Sequence, residues 1–189
     1  MSADIPTPHL THHFLIAMPS LEDSVFERSV VYVCEHSLHG ALGLIINKPT
    51  DLMLPGLFER IELNFGREDL RTMPVFLGGP VQTERGFVLH PSGQQFQATL
   101  ELGELGLSTS QDALFAIAAG QGPSQHLIAL GYAGWEAGQL ESELADNAWL
   151  TCPADPQILF DIPAEQRLSA AAARLGVNLS LLTRQAGHA

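Results

Sequence analysis

The chain has 189 residues, of which 46% are apolar and 16% charged, values typical of a single globular domain with one core. Nine basic residues stand against 21 acidic ones, and the net charge of −12 argues against a surface that neutralises the phosphates of DNA or RNA. No apolar run approaches the roughly 20 residues that cross a bilayer, and the first residues lack the pattern of a signal peptide, so we expect a cytoplasmic protein.

The first part of the chain is predicted to form three strands and a short helix. The apolar segment 13–18 stops before Pro19, and the segment 29–36 is rich in β-branched residues. The segment 41–46 follows after a link that is too short for a crossover helix, so we expect it to pair antiparallel with 29–36. Apolar residues at helical spacing predict a helix over 55–64.

The rest of the chain mixes short strands with helices. Strands are predicted at 75–77, 86–90, 96–102, 126–132 and 149–152. Helices are predicted over 113–119, 136–145 and 163–175. The run from Ser108 to Gln111 fits a capping box, and Gly120 suits a left-handed C-cap. Because strands and helices do not alternate strictly, we predict an α+β fold: a single domain over 1–189, with a mixed, mainly antiparallel sheet and helices packed on it.

A serine and a histidine close in sequence invite a test for nucleophilic catalysis. Ser29 and His36, with Asp23 or Glu35 as the acid, would supply the residue types of a triad. On one strand, however, Ser29 and His36 would lie roughly 23 Å apart and point to opposite faces. No G-x-S-x-G motif occurs either. We therefore assign no catalytic residue and favour a protein that is not an enzyme.

Cys34 and His36 raise the question of a metal site, since residues two apart on a strand face the same way. His39, His90 or Cys152 would have to complete the ligand set, but the spacing matches no zinc signature. Two cysteines are also too few for a disulfide scaffold. We predict buried thiols, no metal and no cofactor, with His36 neutral and hydrogen-bonded to a carbonyl or carboxylate.

Several other groups have ordinary structural explanations. Three histidines, His9, His12 and His13, lie close to a chain end, which makes them weak candidates for metal ligands. The turn Gly78-Gly79-Pro80 follows a strand, but its proline removes a donor and no helix begins there, unlike a phosphate-binding loop. Asp23 and Arg28 fit an ion pair before a strand, and Trp135 and Trp149 fit a core.

Six stretches, taken in order, resemble the YqgE/AlgH family of bacterial proteins. They are HHFLIAMPSLEDSVFERSVVYVCEH, GALGLIINKP, FLGGPVQTERGFVLH, ALGYAGWEAGQLESELADNAWL, PADPQILF and the terminal GHA. Each stretch is weak alone, but together they run nearly from end to end. Leu168 stands where the family usually has tryptophan, and Cys152 where relatives commonly have alanine. The resemblance implies a bacterial cytoplasmic protein but does not imply a defined biochemical activity. Members of the family carry the label of a transcriptional regulator.

The sequence contains no pattern of a DNA-binding surface that would support the regulator label. The basic residues are scattered, and no helix-turn-helix pattern occurs. We therefore expect a non-enzymatic regulatory or interaction protein that acts indirectly on gene expression, through a protein partner or a small ligand. Direct DNA binding and membrane association are not expected.

The alternative is a small-molecule-binding protein or an enzyme with a polar site. Arg28 precedes one strand of the predicted antiparallel pair and Asn47 follows the other, so the two would meet at one edge. His36 and the turn at Gly79 and Pro80 complete the predicted site. Loops that converge at such an edge would hold a small ligand.

Overall fold

Ten strands and five α-helices make up the computed structural model, which describes residues 9–22 and 24–179. The strands are β1 His13–Ala17, β2 Val30–Ser37, β3 Gly40–Ile45, β4 Pro49–Met53, β5 Pro74–Leu77, β6 Val81–Pro91, β7 Thr99–Leu102, β8 Leu105–Ser108, β9 Leu127–Glu136 and β10 Trp149–Pro153. The helices are α1 Leu54–Arg60, α2 Gln111–Ala118, α3 Gln139–Ala145, α4 Pro156–Phe160 and α5 Ala164–Ala173. No helix in the described ranges is both long and apolar enough to span a membrane. The predicted α+β class is confirmed.

The strands form one curled sheet in the order β10-β1-β2-β3-β9-β6-β8-β7, and β5 joins β4 to β9. β2 and β3 are antiparallel, as predicted, with Ser37 opposite Gly40 at their turn. β5 and β9 run parallel, whereas the other described pairings are antiparallel. The curl brings the two ends of the sheet together: a Cβ built on Gly103, between β7 and β8, would lie 3.2 Å from Nε2 of His12, just before β1.

Each face of the sheet carries its own apolar cluster. The concave face gathers residues from almost every strand, together with α4 and α5: Phe14, Tyr32, Leu44, Leu89, Leu107, Leu159 and Leu168. The opposite face is covered by α1 and α2 at one end and by α3 at the other. Burial of both faces explains why β3 is apolar throughout and why β2 is apolar on both faces as far as Cys34.

Gly131 reverses the alternation of side chains along β9. Its φ is +77°, and a Cβ built on it would lie 2.4 Å from the carbonyl oxygen of Gly79. Leu130 and Ala133 therefore both point to the face that the helices α1 to α3 cover. A residue with a side chain would meet both the strained φ and the close contact at this position.

The prediction that Cys34 and His36 share a face of the strand is wrong, because β2 contains a β-bulge. The register with β3 shifts between Val33 and Glu35. Cys34 consequently lies in the concave cluster, whereas His36 stands opposite Ala41, which packs on the face that α3 covers. One extra residue in a strand has this effect because side chains alternate with a period of two.

The boundaries differ most around β8 and β9. The prediction of a capping box is wrong, because Ser108 ends β8 and α2 begins after Ser110, whose side chain makes no cap hydrogen bond. β9 continues to Glu136, so the following helix begins only at Gln139. β4, β8 and α4 were not predicted. Each is only four or five residues long and has no distinct period of its own.

Candidate functional site

A cavity of about 310 Å³ lies where the two ends of the curled sheet approach each other. We call it the seam cavity. It is lined by His12, Tyr32, Gly103, Glu104, Leu105, Ala154, Pro156 and Leu159. Hydrogen-bonding side chains come from His12, Tyr32 and Glu104, and the remaining lining side chains are apolar. The opening of a barrel-like sheet is a usual place for a small-ligand site.

Tyr32 and His12 form a hydrogen-bonded pair in the wall of the seam cavity. The Tyr32 side chain is fully buried, and its hydroxyl lies 2.7 Å from Nδ1 of His12. Burial, and to a lesser extent the Cys34 thiol, raises the pKa of the Tyr32 hydroxyl above its ordinary value, so the phenol is neutral at physiological pH. His12, in contrast, is exposed.

The backbone of His12 has an uncommon conformation. Its φ is +65°, in the left-handed region that few residues other than glycine adopt. Hydrogen bonds hold it on two sides, since His12 N–H donates to Val33 O (3.0 Å) and Ala154 N–H donates to His12 O (2.8 Å). The imidazole is thereby aimed at Tyr32 by both neighbouring strands of the sheet edge.

The polar site predicted from the sequence is brought together only in part. Asn47 accepts from Val30 N–H and donates to the Arg28 carbonyl, both at 2.9 Å, so the ends of β2 and β3 meet here. The turn Gly78-Gly79-Pro80 passes the same end, because Ile45 N–H donates to Gly78 O at 2.8 Å. Gly79 is buried, whereas Pro80 and Arg28 are exposed. Asp23 and its predicted ion pair with Arg28 lie outside the described residues.

His36 is not part of that cluster. Eight residues separate it from Arg28, which places it roughly 26 Å away at about 3.3 Å per residue, at the other end of β2. Its Nδ1 accepts from Leu10 N–H (3.0 Å), so the neutral ring carries its proton on Nε2 and donates to Glu141 Oε1 at 2.6 Å. The predicted hydrogen bond to a carboxylate is therefore present, and it comes from α3.

The Glu141 carboxyl accepts hydrogen bonds that favour its charged form. Burial alone would raise the pKa of Glu141, but hydrogen bonds from its own backbone N–H and from His36 lower it below the usual value.

Cys34 and Cys152 are buried free thiols. Within residues 9–22 and 24–179 no three metal-ligating side chains come together.

Arg167 of α5 is a buried cation near the strand ends that Asn47 joins. It is 7% exposed, and its guanidinium donates to the carbonyls of Ile46 and Ile162 and lies 4.9 Å from the ring centre of Phe76. Burial lowers its pKa to about 10, with a smaller opposing effect of Glu165. This arginine attaches α5 to the end of β3. An arginine in an amphipathic helix gives no sequence signal for such a position.

A second polar chain, buried under α2, connects β6, β7 and β8. His90 Nδ1 lies 2.8 Å from Pro91 O, so in the neutral ring Nδ1 donates and Nε2 accepts from Ser108 Oγ at 2.8 Å. Ser108 Oγ in turn accepts from Thr99 Oγ1 (2.8 Å), which accepts from Phe96 N–H (2.8 Å). His90 and Ser108 are fully buried. Every member of this chain has a partner, which is the pattern of a structural network.

Sequence reasoning missed the His12–Tyr32 pair. The sequence places His12 near a chain end and Tyr32 in the middle of an apolar strand, where neither stands out as a site residue. The available signal was the tyrosine itself, because a buried phenol needs a hydrogen-bond partner. That partner could have been sought on the neighbouring strand, but the cavity requires the distant turn around Gly103 as well.

The structure is that of an α+β protein whose curled sheet carries an open cavity of small-ligand size where its two ends approach each other. A family model described as AlgH-like (DUF179) matches residues 14–180, and the chain belongs to this family. It is 64% identical over 190 residues to a UPF0301 protein of Pseudomonas aeruginosa strain UCBPP-PA14. It is 63% identical over 190 residues to the UPF0301 protein AlgH of strain PAO1. Both alignments cover 100% of each chain, so the family recognised from the sequence is confirmed.

Two solved structures are similar over nearly the whole chain. The solution structure of the AlgH protein from Pseudomonas aeruginosa matches with a TM-score of 0.80 and 63% identity, and it covers 100% of both chains. The crystal structure of a protein from Corynebacterium diphtheriae matches with a TM-score of 0.71 and 22% identity, over 93% of this chain and 92% of that one. At this lower identity the second likeness concerns the fold alone.

Proposed function

We propose that the protein binds a small, largely apolar ligand in the seam cavity and acts as a non-enzymatic regulatory protein. The observation that carries this proposal is the His12–Tyr32 pair in the wall of a cavity of about 310 Å³, whose other lining side chains, apart from Glu104, are apolar. Apolar walls with a few convergent polar groups are the usual composition of a ligand site, and the volume lies near the lower end of the usual range. The ligand is therefore a compact molecule, smaller than a nucleotide or a peptide.

The regulatory part of the proposal rests on charge and on the position of the cavity. A net charge of −12 keeps the protein away from nucleic acid, so an effect on gene expression would pass through a protein partner. The cavity mouth is formed by the β7–β8 turn and the start of α4. A bound ligand would change the surface of these two segments, and a partner protein could recognise that change. The cytoplasmic location expected from the sequence belongs to this proposal.

The site predicted at Arg28, Asn47, Gly79 and Pro80 is a second candidate, for an anionic ligand. In a chain with nine cations, Arg28, Lys48 and Arg167 lie at the same end of β2 and β3. Both amide atoms of Asn47, however, bind backbone groups, and the turn at Gly79 is packed against the backbone of β9. This arrangement favours the seam cavity as the main ligand site.

A fragment screen by NMR on the full-length ¹⁵N-labelled protein tests both candidates. Apolar fragments should shift the amide signals of Tyr32, Gly103 and Ala154, whereas binding at the second site would shift signals around Asn47. Replacement Ala154→Trp fills the seam cavity and should abolish the first set of shifts. Ala173→Trp, on the exposed side of α5, is the matched control and should leave them unchanged.

Two results would contradict the proposal. Fragments that bind Ala154→Trp as tightly as the wild type do not use the seam cavity. If no fragment shifts the signals of the cavity residues, the cavity is not a ligand site. Thermal unfolding of both variants confirms that they are folded, and a ligand specific to the native state should raise the melting temperature of the wild type and of Ala173→Trp only.

A further inference from the structure

We infer that the seam cavity prefers amphiphilic cations, which are compact molecules with an apolar body and an ammonium group, over neutral or anionic molecules of similar shape. The inference rests on the proposed function, because it names the chemical class of the ligand that the same cavity would hold. It follows from two observations, the burial of the lining residues and the charge at the mouth of the cavity.

The lining of the cavity changes from buried and apolar to exposed and polar. Leu105 is 5% exposed and Ala154 is half-buried, so they belong to the inner wall. Gly103, Glu104 and His12 are exposed and therefore lie at the mouth. A ligand gains most when its apolar part covers the inner wall and its polar group stays near solvent. The cavity therefore orients an amphiphile with its polar group at the mouth.

The charge at the mouth of the cavity favours a cationic group. Among the described residues, no lysine or arginine lines the cavity, whereas Glu104 in the β7–β8 turn supplies a carboxylate. Glu104 takes part in no ion pair within the described part of the chain. The neighbouring acid, Asp155, lies between the lining residues Ala154 and Pro156 and is paired with Arg174 at 2.6 Å. Glu104 therefore contributes the uncompensated charge.

The attraction between Glu104 and an ammonium group does not depend on one fixed contact. Charges at a protein surface act over the Debye length, which is about 10 Å at 0.1 M salt and exceeds the length of a small ligand. The net charge of −12 adds a weaker long-range contribution of the same sign. An exposed ion pair changes a dissociation constant by at most about fivefold. Salt should weaken this preference and leave the apolar contacts in place.

Three probes of similar shape separate the effect of charge from apolar binding. On the same phenyl ring, 2-phenylethylamine carries an ammonium group, 2-phenylethanol a neutral hydroxyl and phenylacetate a carboxylate. Dissociation constants would be measured by NMR titration of the full-length protein, from the amide signals of Gly103 and Ala154. Near pH 8 an ordinary imidazole is neutral and a primary amine is still charged. Sodium chloride at about 20 mM and at about 500 mM gives weak and strong screening.

In low salt, 2-phenylethylamine should bind about threefold more tightly than 2-phenylethanol, and phenylacetate about threefold more weakly. In high salt the three constants should agree within about 1.5-fold. Glu104→Gln should bring the amine to the affinity of the alcohol, and Glu104→Lys should make phenylacetate bind more tightly than the amine. The matched control Glu59→Gln removes an exposed charge from α1, on the opposite face of the sheet, and should keep the wild-type order.

The outcomes distinguish this inference from the proposed function. Equal binding of the three probes at both salt concentrations would overturn the inference and leave the ligand cavity in place. Binding of none of them would overturn the proposed function and the inference with it. A preference for the amine that persists unchanged in Glu104→Gln, or that Glu59→Gln abolishes, would also refute the inference. In that case the net charge of the chain, and not the mouth of the cavity, would cause the preference.

Discussion

Glu143 is expected to be one of the strongest single stabilising residues of the α3 face. One oxygen, Oε2, accepts from Trp135 Nε1 at 2.7 Å and from Trp149 Nε1 at 2.9 Å, and both tryptophans are less than 10% exposed. A hydrogen bond to a charged group contributes roughly 1.5–3 kcal/mol. Glu143→Ala removes two of them and should lower the free energy of unfolding by about 3–6 kcal/mol. Because Glu143 is half-buried, we expect the lower half of that range.

Glu143→Gln is the informative comparison, since it keeps an oxygen for both indoles but removes the charge. Neutral hydrogen bonds contribute about 0.5–1.5 kcal/mol each, so this variant should lose about 2–3 kcal/mol at most. Urea unfolding followed by tryptophan fluorescence measures the effect directly, because the chain has two tryptophans and both bind this carboxylate.

Glu136→Ala is the matched control, on exposed chain beside α3, and should change the stability by less than about 0.5 kcal/mol. The reasoning would be refuted if Glu143→Ala cost less than about 1 kcal/mol, or if the alanine and glutamine variants were equally stable. Either result would mean that the indole groups find water or other acceptors when the carboxylate is lost.

Three further predictions concern other buried contacts. The pKa of Glu141 is lowered in the folded state, so the unfolded chain takes up the proton first as the pH falls. The contribution of the Glu141 carboxylate to the free energy of unfolding should therefore be lost below about pH 4.5. Urea unfolding over a pH series should show this loss in the wild type and not in Glu141→Gln. Ser108→Ala leaves the buried Nε2 of His90 without a donor and should cost about 1–3 kcal/mol by thermal unfolding, whereas an unchanged melting temperature would show that water replaces the hydroxyl. Gly131→Ala combines a φ of +77° with a contact of 2.4 Å and should cost more than about 1–2 kcal/mol in the same assay; a wild-type melting temperature would contradict the geometry.

The parts of the fold that the sequence predicts are those with local causes. The β2–β3 pair was predictable because a four-residue link leaves no other arrangement, and it is observed. The central position of β9 was not predictable, because its partners β3, β5 and β6 lie far away in the chain. The bulge at Cys34 also has no glycine to mark it, so simple alternation placed His36 on the wrong face.

The candidate site depends even more strongly on distant contacts. Asn47 and Arg28 could be brought together from the antiparallel pairing alone. The seam cavity, in contrast, joins His12 to a turn some 90 residues later and to the start of α4, and only the curl of the sheet makes these segments neighbours. Periodicity identifies which residues are buried, but it contains no information about how strongly a sheet of this length curls.

The strained backbone of His12 connects the fold to the proposed function. Positive φ values outside glycine occur in the described residues at His12, Arg28, Glu62, Gln82 and Asn147. Such a conformation costs of order 1–3 kcal/mol and persists only where the surroundings enforce it. At His12 the enforcement comes from Val33, from Ala154 and from the Tyr32 hydroxyl. With an ordinary negative φ the imidazole would leave the phenol, which would then lack its hydrogen-bond partner in the wall of the cavity. The strain therefore holds the imidazole against the phenol, and this pair is the feature on which the proposed ligand site depends.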